Sequence, residues 1–128
     1  MKKILIVDDH AAVIRVLRLG IEQGGYAVDS ASDGIECLAM LEKGHPDFLV
    51  TDIDMPRMSG KDLCAAIAER YPDRQFPIVV LTSRSELEHR DWTANIENLE
   101  FMEKPVSVRQ LLAHIASSLK LTTEAGVA

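Results

Sequence analysis

Aspartates occur in two closely spaced groups that are suited to metal binding or to phosphoryl transfer. Asp8 and Asp9 are adjacent, and Asp54 follows Asp52 by two residues. A ligand set made of carboxylate oxygens favours Mg²⁺, or Mn²⁺, over zinc. An aspartate can also act as a nucleophile and become an acyl phosphate. The two groups therefore predict a metal site that could also accept a phosphoryl group.

A hydroxyl pair and a lysine provide the other groups that phosphoryl transfer requires. Thr82 and Ser83 follow one apolar run, and Lys104 follows another. A threonine hydroxyl can bond phosphoryl oxygens, and a lysine neutralises the negative charge on the transferring group. Each feature alone is more simply a helix cap or a strand end. The prediction therefore depends on all of them meeting at one place.

Short apolar runs predict the strands that would bring these side chains together. Most of the runs are apolar throughout, which is typical of parallel strands buried on both faces. The predicted strands are residues 4–7, 26–31, 48–51, 78–81 and 99–102. Apolar residues at helical spacing predict helices between and after them. The predicted helices are residues 13–21, 34–43, 61–70, 85–97 and 107–120, of which 85–97 has the weakest apolar pattern.

This alternation predicts an α/β fold, a doubly wound five-stranded parallel sheet with helices on both faces. We expect the flavodoxin-like strand order 2-1-3-4-5, in which the first and third strands are neighbours at the switch point where ligands bind. Asp8, Asp9 and Asp52 would then meet at one edge. Two carboxylates about 4 Å apart repel by roughly 4 kcal/mol at an effective dielectric of 20, so a divalent cation would stabilise the group.

Composition limits the classes of function. The chain has 128 residues, enough for one domain, and a net charge of −6, which argues against direct binding to nucleic acid or to anionic membranes. The apolar run at 4–7 is too short for a signal peptide, and no run reaches the length of a membrane span. We therefore expect a cytoplasmic domain over residues 1–121, followed by a disordered tail at 122–128.

The cysteines and histidines show no metal-binding spacing. Cys37 and Cys64 are interpreted as reduced core thiols, because each lies in an apolar helical pattern without a CxxC motif. The histidines are interpreted as surface or loop residues that do not pair with one another. They are His10, His45, His89 and His114.

With these features in view, the sequence resembles the receiver domains of two-component response regulators, in particular the chemotaxis-regulator type. The resemblance extends from Lys3 to about Lys120. The segments that carry it are ILIVDDH (4–10), LVTDIDMPRMSG (49–60), VVLTS (79–83) and FMEKP (101–105). It implies that Asp52 is the phosphoacceptor. It also implies a metal site formed by Asp9 directly, Asp8 largely through water, Asp52, and the backbone carbonyl of Asp54.

The resemblance assigns roles to the remaining motif residues as well. Thr82 corresponds to a hydroxyl that follows the phosphoryl group, and Phe101 to the aromatic switch position. Lys104 corresponds to the site lysine, with a cis peptide bond to Pro105. Asn98-Leu99 departs from the Gly-Ala that is common in the family, but asparagine tolerates the left-handed turn.

The resemblance further implies a phosphorelay. A sensor histidine kinase or a histidine phosphotransfer protein would donate the phosphoryl group, and the domain would dephosphorylate itself slowly rather than act as an enzyme on small substrates. Phosphorylation would remodel the surface formed by 85–97, 99–102 and 107–120. A downstream protein target or an output domain would bind that surface, and a phosphorylation-dependent homodimer is also considered.

Two features beside the site have open interpretations. Asp54 and Arg84 each lie two residues past a site residue. As a pair they would hinder a water molecule that attacks the phosphoryl group. As separate solvated charges they would contribute little interaction energy. Trp92 is either an anchor for a partner or a cover for the adjacent turn.

Rival functions are a phosphatase and an interaction domain. Asp52-Ile53-Asp54 has the DxD pattern of haloacid-dehalogenase-like phosphatases, but that family carries the pattern after its first strand rather than its third. A phosphorylation-independent interaction domain would not need the full set of acids, threonine and lysine. A stand-alone receiver and a piece of a longer regulator both remain open.

Overall fold

A computed structural model describes residues 1–83 and 91–127, with side chains in the last helix described as far as residue 119. Its centre is a single parallel sheet of five strands in the order β2-β1-β3-β4-β5. The strands are β1 (Lys3–Val7), β2 (Ala27–Ala31), β3 (Phe48–Asp52), β4 (Ile78–Thr82) and β5 (Leu99–Glu103). The predicted fold and strand order are confirmed.

Four α-helices lie in the described part of the chain. They are α1 (Ala11–Gln23), α2 (Gly34–Lys43), α3 (Gly60–Arg70) and α4 (Val108–Val127). Three of them begin at side-chain caps, because Asp33, Ser59 and Ser107 each accept a hydrogen bond from a backbone N–H group in the first turn of their helix. None of these helices is both long and apolar enough to cross a membrane.

The core is divided between the two faces of the sheet. On one face, α2 and α3 pack on the strands through apolar residues such as Leu41 and Ile67. On the other face, α1 and α4 do so through residues such as Ile21 and Ile115. Because both faces are covered, every residue of β3 and β4 is buried. Burial on both faces explains why these strands consist mainly of apolar residues.

The two cysteines belong to this core and form no disulfide. Burial raises the pKa of both Cys37 and Cys64 to about 12. Both thiols therefore stay protonated at neutral pH, which confirms their interpretation as structural residues.

A close backbone approach fixes the start of α3 beneath the end of β3. Gly60 N donates a 2.8 Å hydrogen bond to the carbonyl of Ile53. A Cβ added to Gly60 would lie 2.3 Å from the carbonyl oxygen of Asp52. Only glycine fits this position without movement of the segment that carries Asp52.

Two predicted helices differ from the structure. Residues 85–90 of the predicted helix 85–97 lie outside the described residues, and the described remainder begins as a 3₁₀-helix, Asp91–Thr93, followed by a turn. The weak apolar pattern agrees with this, since it offers no continuous stripe to pack on the sheet. The last helix continues to Val127, through residues predicted as a tail, because no proline or glycine interrupts it before Gly126. The domain boundary at residue 121 stays a prediction.

Candidate functional site

The carboxyl ends of β1 and β3 bring the predicted acids together. The two strands pair directly, with Val7 opposite Thr51, so the next residues on each strand are neighbours. Asp8 and Asp52 are almost fully buried, at 4% and 2% exposure, whereas Asp9 is exposed. Ligand atoms of all three acids lie within 4.8 Å of one another. The convergence predicted from the topology is therefore present.

The two carboxylate oxygens of Asp52 have different surroundings. Oδ1 accepts a 2.7 Å hydrogen bond from Lys104 Nζ and a 2.9 Å hydrogen bond from Ile53 N. Among the described residues, none donates a hydrogen bond to Oδ2. One oxygen is thus held in place, and the other is available to a cation or to an electrophile.

The site carries more negative charge than its own cations balance. Burial raises the pKa of Asp52 and the charge of Asp8 adds to the rise, while Lys104 offsets them only in part. For Lys104, burial lowers the pKa, but the hydrogen bond and charge of Asp52 outweigh it, and the net pKa is raised. Additional positive charge would therefore stabilise the ionised Asp52. A divalent cation with oxygen ligands fits this set of donors.

His10 joins this cluster, and the sequence analysis missed it. Its Nδ1 lies 3.1 Å from Oδ1 of Asp8 and 3.2 Å from Oδ1 of Asp9. The hydrogen bond to Asp8 and the charges of both aspartates raise the pKa of His10. Adjacency to Asp8-Asp9 was the signal that would have found it.

The ends of β4 and β5 supply the hydroxyl and the ammonium. Thr82 is fully buried at the end of β4, and its carbonyl accepts a 2.8 Å hydrogen bond from Lys104 N. This bond places the threonine and the lysine on adjacent strand ends. The peptide bond between Lys104 and Pro105 is cis, as predicted.

An open cleft of about 710 Å³ gives access to the acids. Its polar lining residues are Asp8, His10, Asp52 and Lys104. Its other walls are mainly apolar residues of α1, the end of β4 and the segment after Lys104. These residues are Ala12, Val13, Val16, Leu17, Leu81, Pro105, Val106 and Val108. Asp52 is therefore reachable although little of its surface is exposed.

This geometry agrees with a comparison against protein families. The model of the response regulator receiver domain matches residues 4–116. The chain belongs to that family. It is accordingly a response regulator receiver in phosphorelay signalling, a phosphoacceptor rather than a classical enzyme, and the phosphatase alternative is set aside.

Curated relatives and solved structures of receivers are similar to this chain. Response regulator MprA of Mycobacterium leprae is 37% identical over 120 residues, which are 94% of this chain and 52% of that protein. A CheY-like receiver domain protein from Methanospirillum hungatei has a TM-score of 0.87 at 29% identity, with 98% of each chain covered. TrrA from Thermotoga maritima, solved in complex with Mg²⁺-BeF, has a TM-score of 0.80 at 27% identity, covering 92% of this chain and 99% of that chain. The receiver spans about half the length of the curated relatives it matches.

The predicted switch residue of the receiver contacts its single tryptophan. Phe101 on β5 is half-buried, and its ring centroid lies 5.7 Å from that of Trp92 in an edge-on arrangement. Both side chains pack against the core beneath α2 and α3. Trp92 therefore covers the core next to Phe101, and its use as an anchor for a partner stays a prediction.

The loop after Asp52 is tied to α2 by a contact that the sequence analysis missed. Arg57, which has a φ of 66°, forms an ion pair with Asp33, the cap of α2. The hydrogen bond from Glu36 N, together with Arg57, lowers the pKa of Asp33. Asp54, on the same loop, is exposed, and Arg84 lies outside the described residues, so the predicted Asp54–Arg84 pair stays a prediction.

Proposed function

We propose that Asp52 is the residue of this receiver that accepts the phosphoryl group. The observation that carries the proposal is the unequal bonding of its carboxylate, with Oδ1 held by Lys104 and Oδ2 open. Oδ2 is the oxygen suited to attack phosphorus, because it is not engaged by a donor among the described residues. The cleft beside it is wide enough to admit a partner's side chain.

The cation of the site is proposed to be Mg²⁺, or Mn²⁺. The carboxylates of Asp8, Asp9 and Asp52 and the backbone carbonyl of Asp54 are its proposed ligands, with Asp8 acting largely through water. When bound, a divalent cation supplies positive charge that neutralises the acids and the phosphoryl oxygens. The raised pKa of Asp52 and the Mg²⁺-BeF complex of TrrA support this assignment.

The donor is proposed to be the phosphohistidine of a sensor histidine kinase or of a histidine phosphotransfer protein. A carboxylate oxygen of Asp52 forms a bond to phosphorus, and the bond from phosphorus to the donor imidazole breaks. Lys104 turns its ammonium from Asp52 to a phosphoryl oxygen, and the Thr82 hydroxyl bonds another. These groups act by position and charge, without proton transfer of their own.

Phosphorylation is proposed to shift a two-state equilibrium through Thr82 and Phe101. As Thr82 moves toward the phosphoryl group, Phe101 turns inward and loses its present contact with Trp92. A shift from 1:99 to 99:1 requires about 5.5 kcal/mol of differential stabilisation. A downstream protein target or an output domain then binds the altered surface around β5 and α4, or two receivers form a homodimer. We place this function in the cytoplasm, without nucleic acid or membrane binding by the receiver itself.

The lifetime of the phosphorylated form is proposed to depend on Asp54 and Arg84. As a pair they would hinder the water that attacks the acyl phosphate. The half-life of the phosphorylated protein should then shorten in both Asp54→Asn and Arg84→Ala. If neither variant shortens it, the two charges act only as solvated side chains.

Acetyl phosphate with Mg²⁺, followed by intact-mass analysis, tests the assignment of Asp52. Wild type should gain the mass of one phosphoryl group, and Asp52→Asn should gain none. Asp73→Asn, an exposed aspartate beyond the other end of the sheet, should behave as wild type and is the matched control. Equal phosphorylation of Asp52→Asn and wild type would rule out Asp52 as the acceptor.

A further inference from the structure

His10 places a nitrogen donor among the acids of the site. One ligand atom from each of Asp8, Asp9, His10 and Asp52 lies within 4.8 Å of the other three. Two ligands on opposite sides of one ion, each about 2.1 Å from it, are about 4.2 Å apart. Small side-chain movements would therefore allow Nδ1 of His10 to join Asp9 and Asp52 on the same ion, with Asp8 acting largely through water.

Nδ1 of His10 contacts two of the acids that are proposed to bind the cation. Nδ1 lies 3.1 Å from Oδ1 of Asp8, at hydrogen-bonding distance, and 3.2 Å from Oδ1 of Asp9. An imidazole nitrogen must lose its proton before it can coordinate a metal. A cation with high affinity for nitrogen would take Nδ1 as a ligand, whereas a cation that prefers oxygen would leave the contact between His10 and Asp8 in place.

The ring of His10 is accessible to an entering ion. Its side chain is 65% exposed, and it lines the open cleft together with Asp8 and Asp52. The cysteines are poor competitors for such an ion, because Cys37 and Cys64 are buried in the core away from the cleft. A transition metal ion that enters the cleft would therefore meet the nitrogen donor of His10 beside the oxygen donors of the acids.

We propose that His10 is a metal ligand that extends the specificity of the site from Mg²⁺ to transition metals such as Zn²⁺, Ni²⁺ and Co²⁺. The inference rests on the proposed function, in which Asp8, Asp9 and Asp52 bind the cation. Imidazole suits Zn²⁺ and Ni²⁺, whereas Mg²⁺ prefers oxygen and keeps several waters. His10 therefore strengthens the binding of transition metals and contributes little to the binding of Mg²⁺.

Calorimetric titrations of Mg²⁺ and Zn²⁺ into wild type and His10→Asn test the selectivity. Asparagine offers an oxygen close to the position of Nδ1, so this variant removes the nitrogen without removing a donor. The affinity for Zn²⁺ should fall by about tenfold or more, since even the loss of a residue that only hydrogen-bonds to a metal ligand lowers metal affinity by that factor. The affinity for Mg²⁺ should change little. His45→Asn, at an exposed histidine before β3, should leave both affinities unchanged.

A spectroscopic measurement on wild type tests coordination directly. In ¹⁵N NMR spectra of the imidazoles, saturating Zn²⁺ should shift the Nδ1 signal of His10, and saturating Mg²⁺ should leave it nearly unchanged. Zinc binding without a shift at His10, or equal zinc affinity in wild type and His10→Asn, would overturn the inference. If Mg²⁺ itself fails to bind wild type, the proposed function fails instead, so the two failures are distinguishable.

Discussion

The ammonium of Lys104 donates a 2.7 Å hydrogen bond to Oδ1 of Asp52, a residue 52 positions earlier in the chain. The bond holds Oδ1 of the carboxylate in place, while no described residue donates a hydrogen bond to Oδ2. It also pairs the most buried acid of the site with a cation that is 40% exposed and can move. The same lysine can therefore orient the acceptor before transfer and neutralise the phosphoryl group afterwards.

Substitution of Lys104 by methionine should slow phosphorylation. The variant keeps most of the side-chain volume but removes the charge that faces the transferring group. Loss of one such electrostatic donor typically costs about a hundredfold in rate. The rate of mass gain with acetyl phosphate and Mg²⁺ measures the effect. Lys61→Met, an exposed lysine of α3, is the control and should keep the wild-type rate. An unchanged rate in Lys104→Met would show that the charge of Lys104 does not contribute to phosphoryl transfer.

Substitution of Gly60 by alanine should destabilise the receiver. The added methyl group would lie 2.3 Å from the carbonyl oxygen of Asp52 and 2.8 Å from Cα of Ile53, and both atoms belong to the backbone. Overpacking of this kind costs about 1–3 kcal/mol. Thermal denaturation should show a lower Tm. Gly44→Ala is the matched control, because nothing lies within 4 Å of its added Cβ. A Tm equal to that of wild type would mean that the loop adjusts freely.

The charge of Asp33 should contribute stability that depends on pH. Its pKa is lowered in the folded protein, first by the hydrogen bond from Glu36 N and further by Arg57. A lowered pKa stabilises the fold above the ordinary value of 3.8, and the contribution is lost as the pH falls through the folded-state pKa. Asparagine can still cap α2, so Asp33→Asn isolates the effect of charge.

Urea unfolding at several pH values measures that contribution. The difference in unfolding free energy between wild type and Asp33→Asn should be largest near neutral pH and should shrink below about pH 4. Asp73→Asn, an exposed aspartate, should show a much smaller pH dependence. A difference that is constant with pH would show that neither the hydrogen bond from Glu36 N nor the ion pair with Arg57 stabilises the charged form.

The contact between Trp92 and Phe101 should make tryptophan fluorescence report the switch. Beryllofluoride with Mg²⁺ should change the emission of Trp92, because an inward turn of Phe101 removes the edge-on contact at 5.7 Å. Asp52→Asn should show no change. Phe101→Leu should alter the starting emission and weaken the response. A full response in Phe101→Leu would assign the signal to a different movement.

The elements that bury apolar surface were largely predictable. β3 and β4 are mainly apolar and fully buried because both faces of the sheet are covered. α2 begins and ends at the predicted residues because Asp33 caps it and Gly44 follows it. The 3₁₀-helix around Trp92 was not predictable in the same way. Its residues form no helical stripe, and their conformation depends on packing against Phe101 and the core.

The candidate site was predictable as a set of residues but not as a set of contacts. Parallel strand order places Asp8, Asp9 and Asp52 at one edge, so their convergence follows from topology. The direction of the His10 ring and the ion pair between Arg57 and Asp33 do not follow from it. Both depend on loop conformations, including a left-handed residue at Arg57, that the sequence pattern does not specify.

By itself, the sequence determined the α/β architecture. It also determined the edge of the sheet at which the acids, the threonine and the lysine lie. Both follow from hydrophobic periodicity and strand order, which are properties of long segments. The tertiary structure decided which oxygen of Asp52 is held, how far the acids are buried, and that a histidine joins them. Those outcomes depend on distances of a few ångströms between loops. Only the packing of the whole domain sets such distances.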